Sequence, residues 1–293
     1  LNQYSQKMDN EASLKGSWGD PKFKIAAKNF PSKSLSDSKT PMTGVEYTIG
    51  QSIPLSTKHT DLKSSFNSKA RAIKHQAQKS NESLKVSVWK YLILNRRLLE
   101  EKQILKENLN WLDKNLKVSK KLYSNGRTSQ HAILEIQIRR SQIEIGLSNK
   151  NFEIQKIKDQ LKYLLNNDTI KTSSVPWNIL KTKKSNTSNV IDFKSLSYKA
   201  ELTGSEYAVG AAKKSFVPDV NLSISYTKRN NLDEQGDFLG ASIAFSLPFS
   251  SIKHSAHQMA VNQNYKIKHA FKKYQIEKTR ELELIQKDLN KLS

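Results

Sequence analysis

From Leu55 to Tyr123 no Pro or Gly interrupts the chain. As a helix that stretch would run roughly 100 Å at about 1.5 Å per residue. A helix of that length is expected to bury a single apolar stripe. Its second half carries one, with Leu84, Val88, Tyr91, Asn95, Leu98, Lys102, Leu105, Leu109, Leu112, Leu116, Ser119 and Tyr123 recurring in steps of three and four. After a break at Ser124-Asn125-Gly126 the register resumes with Ile136, Arg140, Ile143, Leu147, Lys150, Ile154, Ile157, Leu161 and Leu164. Two heptad seams joined by a tight Asn-Gly turn predict an antiparallel coiled-coil hairpin. The turn asks for a positive φ at Gly126, where a side chain would be disfavoured. Polar residues on the seam point to control of register rather than a fully dry core.

An internal repeat organises the rest. Ser52-Ile53-Pro54-Leu55-Ser56 returns as Ser246-Leu247-Pro248-Phe249-Ser250, and Ile73-Lys74-His75 returns at the same offset as Ile267-Lys268-His269. Pro21-Lys22-Phe23 matches Pro218-Asp219-Val220 at a slightly larger offset, which places a longer loop in the first copy. Each copy reads as helix end, Pro, strand, polar loop, strand, Pro, long helix. The strands alternate with period two. In the second copy Val220, Leu222, Ile224 and Tyr226 share one side, and Asn221, Ser223, Ser225 and Thr227 the other. Beyond the loop at 230–236, Leu239, Ala241, Ile243, Phe245 and Leu247 alternate with Gly240, Ser242, Ala244 and Ser246. The first copy offers Val45, Tyr47, Ile49 and Ile53, with Gln51 breaking the row, and a less regular strand from Phe23 to about Phe30. One apolar and one small-polar face over about ten residues is the pattern of a transmembrane barrel strand. A half-exposed soluble hairpin gives the same pattern, and a single hairpin does not decide between them.

Composition narrows the function. The chain of 293 residues holds no Cys, which excludes disulfide scaffolds, thiol catalysis and cysteine-based zinc sites. No window reaches the run of about 18 apolar residues that a membrane-spanning helix needs. A 36% hydrophobic share is thin for one round core and sufficient for long helices that each bury a stripe. The formal charge of +22 points to an anionic partner, but the bases are scattered single lysines, as on a solvated exterior. Phosphate loops, nucleophile elbows and His-Glu-x-x-His motifs are missing from the sequence, so no catalytic, cofactor-binding or metal-binding residues are assigned. His254 and His257 lack a neighbouring carboxylate. Glu100, Glu101 and Glu107 lie beside bases and are expected in helix-surface pairs. Trp89 and Trp111 read as packing residues. Asp192 reads as the cap of a helix reaching about Ser215, whose Ala200, Ala208, Gly210, Ala211 and Ala212 would permit close packing.

These features together resemble the TolC-like outer-membrane efflux proteins. The likeness rests on the twofold strand-strand-long-helix repeat and on Ile53-Pro54-Leu55 and Leu247-Pro248-Phe249 leading into the long helices. It rests also on Tyr123-Ser124-Asn125-Gly126-Arg127-Thr128-Ser129 followed by Ile133-Leu134-Glu135-Ile136-Gln137, similar to the family's Tyr-x-x-Gly tip, with Ile136 where Ala is frequent. Ala211-Ala212 through Phe216-Val217-Pro218 is similar to the family's passage from helix to strand.

The resemblance implies a mainly α chain with β, in which two β-hairpins join those of two further copies in a trimeric transmembrane barrel. Its divisions are then a first helix end at 1–18, a barrel hairpin at 19–54 and the coiled-coil tunnel hairpin at 55–165. An inter-repeat linker at 166–192 follows, then a helix at 193–217, the second barrel hairpin at 218–249 and a second long helix from 250 to 293. It further implies a passive export duct in a Gram-negative outer membrane with a periplasmic tunnel. The duct would be coupled to a periplasmic adaptor and an inner-membrane pump, for efflux or type I secretion, without cofactor or nucleic acid. Tyr123, Asn125, Gly126, Arg127 and Ser129 would form the adaptor-docking tip, and Leu222, Ile224, Tyr226, Ile243 and Phe245 would face lipid. At the repeat offset the chain stops at the equivalent of Leu99, so it is expected to be a fragment. The missing parts would be the second hairpin, the start of the first helix and any lipidated cysteine. The high positive charge departs from the family. The competing reading is a soluble basic coiled-coil protein that binds nucleic acid or another polyanion.

Overall fold

The computed structural model describes residues 1–166, 191–230, 232–247 and 251–292. In chain order its elements are α1 (Asn2–Gly16), β1 (Lys22–Lys28), β2 (Gly44–Pro54), α2 (Lys58–Ser124), α3 (Gln130–Leu165), α4 (Phe193–Lys214), β3 (Asp219–Arg229), β4 (Phe238–Phe245) and α5 (Ser251–Leu292). The interior of the expected linker, with its Val175-Pro176-Trp177 break, lies outside the described residues, as does the Pro248-Phe249-Ser250 lead-in. The chain divides into two units, Leu1–Lys79 with Asp192–Ser293, and Ser80–Ile191.

The first unit is built on a four-stranded antiparallel sheet of order β1-β2-β3-β4. The two hairpins of the repeat meet through β2 and β3, whose register puts Ile49 opposite Ile224 and Tyr47 opposite Tyr226. Strand β1 stops at Lys28 rather than near Phe30, because Asn29 takes φ 56° and leaves the extended region. Helices pack beside the sheet through small residues. The Ser65 hydroxyl donates to the Gly204 carbonyl at 2.6 Å, and a Cβ at Gly204 would stand 3.0 Å from the Ser65 carbonyl oxygen. Of the small residues named from the sequence, Ala211 is buried and Gly210 abuts Asp61, but the tight backbone approach falls at Gly204. Hydroxyls of Ser5 and Ser197 donate to the carbonyls of Ala70 and Ala72 on α2.

Asp192 caps α4 by accepting from the Ser195 N–H at 2.9 Å. It also accepts from the Tyr274 hydroxyl at 2.9 Å and the Lys278 ammonium at 2.5 Å, which ties α4 to α5. Burial alone would push its carboxyl up. The Lys278 ammonium, the Ser195 N–H and the Tyr274 hydroxyl together hold it below its usual range. Burial and the bond to Asp192 push the Tyr274 phenol up to about 12.

The second unit is the hairpin of α2, from Ser80 onward, with α3. Leu98, Ile154, Ile157 and Leu161 form its centre, with Val88, Tyr91, Leu92 and Leu94 packed against them. All nine seam positions read on α3, from Ile136 to Leu164, are buried or half-buried. On α2 the terminal positions Leu84 and Tyr123 are exposed. Asn95 is fully buried, and neither side-chain polar atom has a partner. Trp89 and Trp111 do not pack as expected. They sit off the seam, and Trp111 is 63% exposed. Glu100 pairs with Arg96 and Glu101 with Arg97 and Lys150, whereas Glu107 accepts from Gln103 rather than from a base.

Candidate functional site: an apolar sheet face and a hairpin tip

Register and pleat together sort the strand residues, because directly paired residues point to the same side of a sheet. Phe23, Ile49, Ile224 and Ala241 make one row across all four strands, and Ile25, Tyr47, Tyr226 and Leu239 the next. Leu222 stands opposite Ile243, and Val220 opposite Phe245. Leu222, Ile224, Tyr226, Ile243 and Phe245 therefore lie on one face, and all five are exposed, with Ile224 at 67% and Ile243 at 70%. Gln51 lies in the Leu222 row, and its amide donates to the Gly19 and Ser52 carbonyls.

The other face is small and polar. Gly50, Ser223 and Ser242 make one row, and Thr48, Ser225 and Gly240 another, with a hydroxyl contact of 2.6 Å between Ser223 and Ser242. A face of apolar side chains left open to solvent, backed by small polar ones, is the reverse of a soluble sheet.

One end of the sheet is tied by a residue that sequence reasoning passed over. The Arg229 side chain is 1% exposed and makes a two-pronged contact with Asp233. It also donates to the Gly236 carbonyl and, across to the β1–β2 loop, to the Pro41 carbonyl at 2.7 Å. Its guanidinium lies 3.6 Å over the Phe238 ring. The one signal in sequence was an Arg immediately before a turn rich in Asn and Asp.

The tip brings Tyr123, Asn125, Gly126, Arg127 and Ser129 together on exposed backbone between α2 and α3. The Arg127 N–H donates to the Leu122 carbonyl and the Gly126 N–H to the Tyr123 carbonyl, both at 2.9 Å, with Gly126 at φ 69°. That bond pair is the Schellman closure, and it requires the left-handed residue supplied here by Gly126. Ser129 caps α3 by accepting from the Ala132 N–H. Apart from its chain neighbours, no described residue lies within 4 Å of where a Gly126 Cβ would stand. His254 and His257 lie against the Phe216 ring rather than at a ligand site, and no group of three or more metal-ligating residues occurs among the described residues. No described helix is long and apolar enough to cross a membrane.

The arrangement, a four-stranded sheet built from two hairpins with a long helix after each, shares its fold with solved outer-membrane channels. The chain superposes on the outer membrane protein VceC of Vibrio cholerae with a TM-score of 0.70 at 14% identity, covering 96% of this chain and 71% of VceC. It superposes on a membrane protein of Pseudomonas aeruginosa with a TM-score of 0.73 at 12% identity, covering 95% and 69%. For the CmeC outer membrane channel of Campylobacter jejuni the TM-score is 0.66 at 14% identity, covering 93% and 63%. No known family profile and no curated protein sequence matches the chain.

Proposed function

We propose that the chain is a subunit of an outer-membrane export channel, a passive duct without chemistry of its own. The observation that carries this reading is the exposed apolar face shared by all four strands. A sheet of four strands has two open edges, β1 and β4, and unpaired backbone groups there are not tolerated in lipid. Closure requires strands from other copies, and in this reading three copies complete the barrel. Lipid then covers the apolar face and water fills the inside, in a Gram-negative outer membrane. The tip of α2 and α3 meets a periplasmic adaptor that links the duct to an inner-membrane pump, for efflux or type I secretion. A soluble polyanion-binding protein would have no use for such a sheet face, and the likeness to channels supports a non-enzymatic role.

The 293 residues hold no Cys, so cysteines placed in the strands report on the strands. Single cysteines at Ala26 on β1 and Ser242 on β4, joined by a bifunctional maleimide in outer-membrane fractions, should give dimers and trimers and nothing larger. Monomers alone, or a ladder running past the trimer, would refute the closed three-copy barrel.

A further inference from the structure

We propose that the polar face of the sheet makes the pore favour anions over cations. This rests on the channel reading above. Strand β1 places Lys22, Lys24 and Lys28 on the polar side, in alternation with the apolar residues Phe23, Ile25 and Ala27. The acids of the strands are Glu46 and Asp219, and each already holds a lysine. Glu46 is bonded to Lys28, and Asp219 accepts from Lys58 at 2.6 Å. Arg229 on the same face is held by Asp233.

Lys22 and Lys24 remain, exposed and without an ion pair among the described residues. Their rows contain only Gly50, Ser223 and Ser242 for Lys22, and Thr48, Ser225 and Gly240 for Lys24. Neither row holds an acid, and Glu46, one row from Lys24 on the same side and attracting it, is bonded to Lys28. With lipid on the apolar side, the water these amines reach is the water of the lumen, and each copy in the barrel brings both. Lysine side chains facing the water of a pore draw anions in and hold cations back, and low-dielectric walls strengthen that field.

The test is the reversal potential of the protein in a planar phosphatidylcholine bilayer across a potassium chloride gradient. Wild-type pores should prefer chloride to potassium. The neutral double variant K22Q/K24Q should lose most of that preference, and K22E/K24E should reverse its sign with unchanged trimer yield. A potassium-preferring wild type, or a preference that survives in K22E/K24E, would overturn the inference while leaving the channel reading in place. Failure of the wild type to form any conducting pore would overturn the channel reading and the inference with it.

Discussion

Replacing Ile224 by Arg probes the assigned sheet face at its most sensitive point. Strand β3 has 11 residues and Ile224 is its centre. At about 3.3 Å per residue and a tilt of roughly 40°, the strand rises through about 28 Å, close to the apolar band of about 25 Å seen on such barrels. On the channel reading Ile224 lies at the midplane, flanked by Ile49 and Ala241 and 67% exposed on the apolar face. An Arg there should cost about 2–4 kcal/mol per copy, which shifts the insertion equilibrium by about thirty-fold to about a thousand-fold. Ser225 is one residue along on the opposite face, so Ser225→Arg at the same depth meets water and should cost little. The assay is the yield of heat-resistant, membrane-inserted oligomer and its urea midpoint for both variants. Equal yields for Ile224→Arg and wild type, or a heavier loss for Ser225→Arg, would refute the assignment of lipid and lumen faces.

Other outcomes follow from the helices. A Gly126→Val variant forces a β-branched residue into a left-handed position and should cost about 1–2 kcal/mol locally. Inserted oligomer should persist while export and adaptor cross-linking through Arg127 or Ser129 fall, and unchanged export with unchanged cross-linking would leave the tip without a partner. Asp192 is held below its ordinary value of 3.8, so its contribution is complete above that value and lost as pH falls through the depressed one. Tyr274 is raised from 10.0 to about 12, so its contribution is complete below 10.0 and lost as pH climbs through about 12. Thermal stability should therefore hold a plateau between these limits. An Asp192→Ala change should cost about 1–2 kcal/mol and bring the Tyr274 phenol, followed by tyrosinate absorbance, back toward 10.0. Removing the orphaned amide with Asn95→Leu should stabilise the hairpin by about 1–2 kcal/mol in chemical unfolding; a loss of stability would mean that Asn95 has a partner in the assembled protein.

Much of the α2–α3 hairpin was legible beforehand. Heptad spacing is a relation between residues within one or two turns, so Ile154, Ile157 and Leu161 announced their burial without reference to distant parts of the chain. The Asn125-Gly126 turn and the Asp192 cap were equally local. Trp89 and Trp111 stay outside because position relative to the seam, not residue type, decides burial. Lys22 and Lys24 went unremarked because Ala26 and Ala27 blur the alternation of β1, and the faces emerge only once Ile25 is seen opposite Tyr47.

The sequence by itself determined the periodicities: a 3.5-residue seam, period-two strands and a repeat in which each hairpin leads into a long helix. Each depends on neighbours a few positions apart, where backbone geometry alone fixes which side chains share a face. The tertiary structure decided what those faces meet. It paired β2 with β3 across a long separation, lining the apolar sides of both hairpins into one exposed surface. It brought Gly204 against the Ser65 backbone and carried Arg229 to the Pro41 carbonyl. Such contacts turn on registers and close approaches between elements distant in the chain, and no local pattern encodes them, because many partners would satisfy the same alternation.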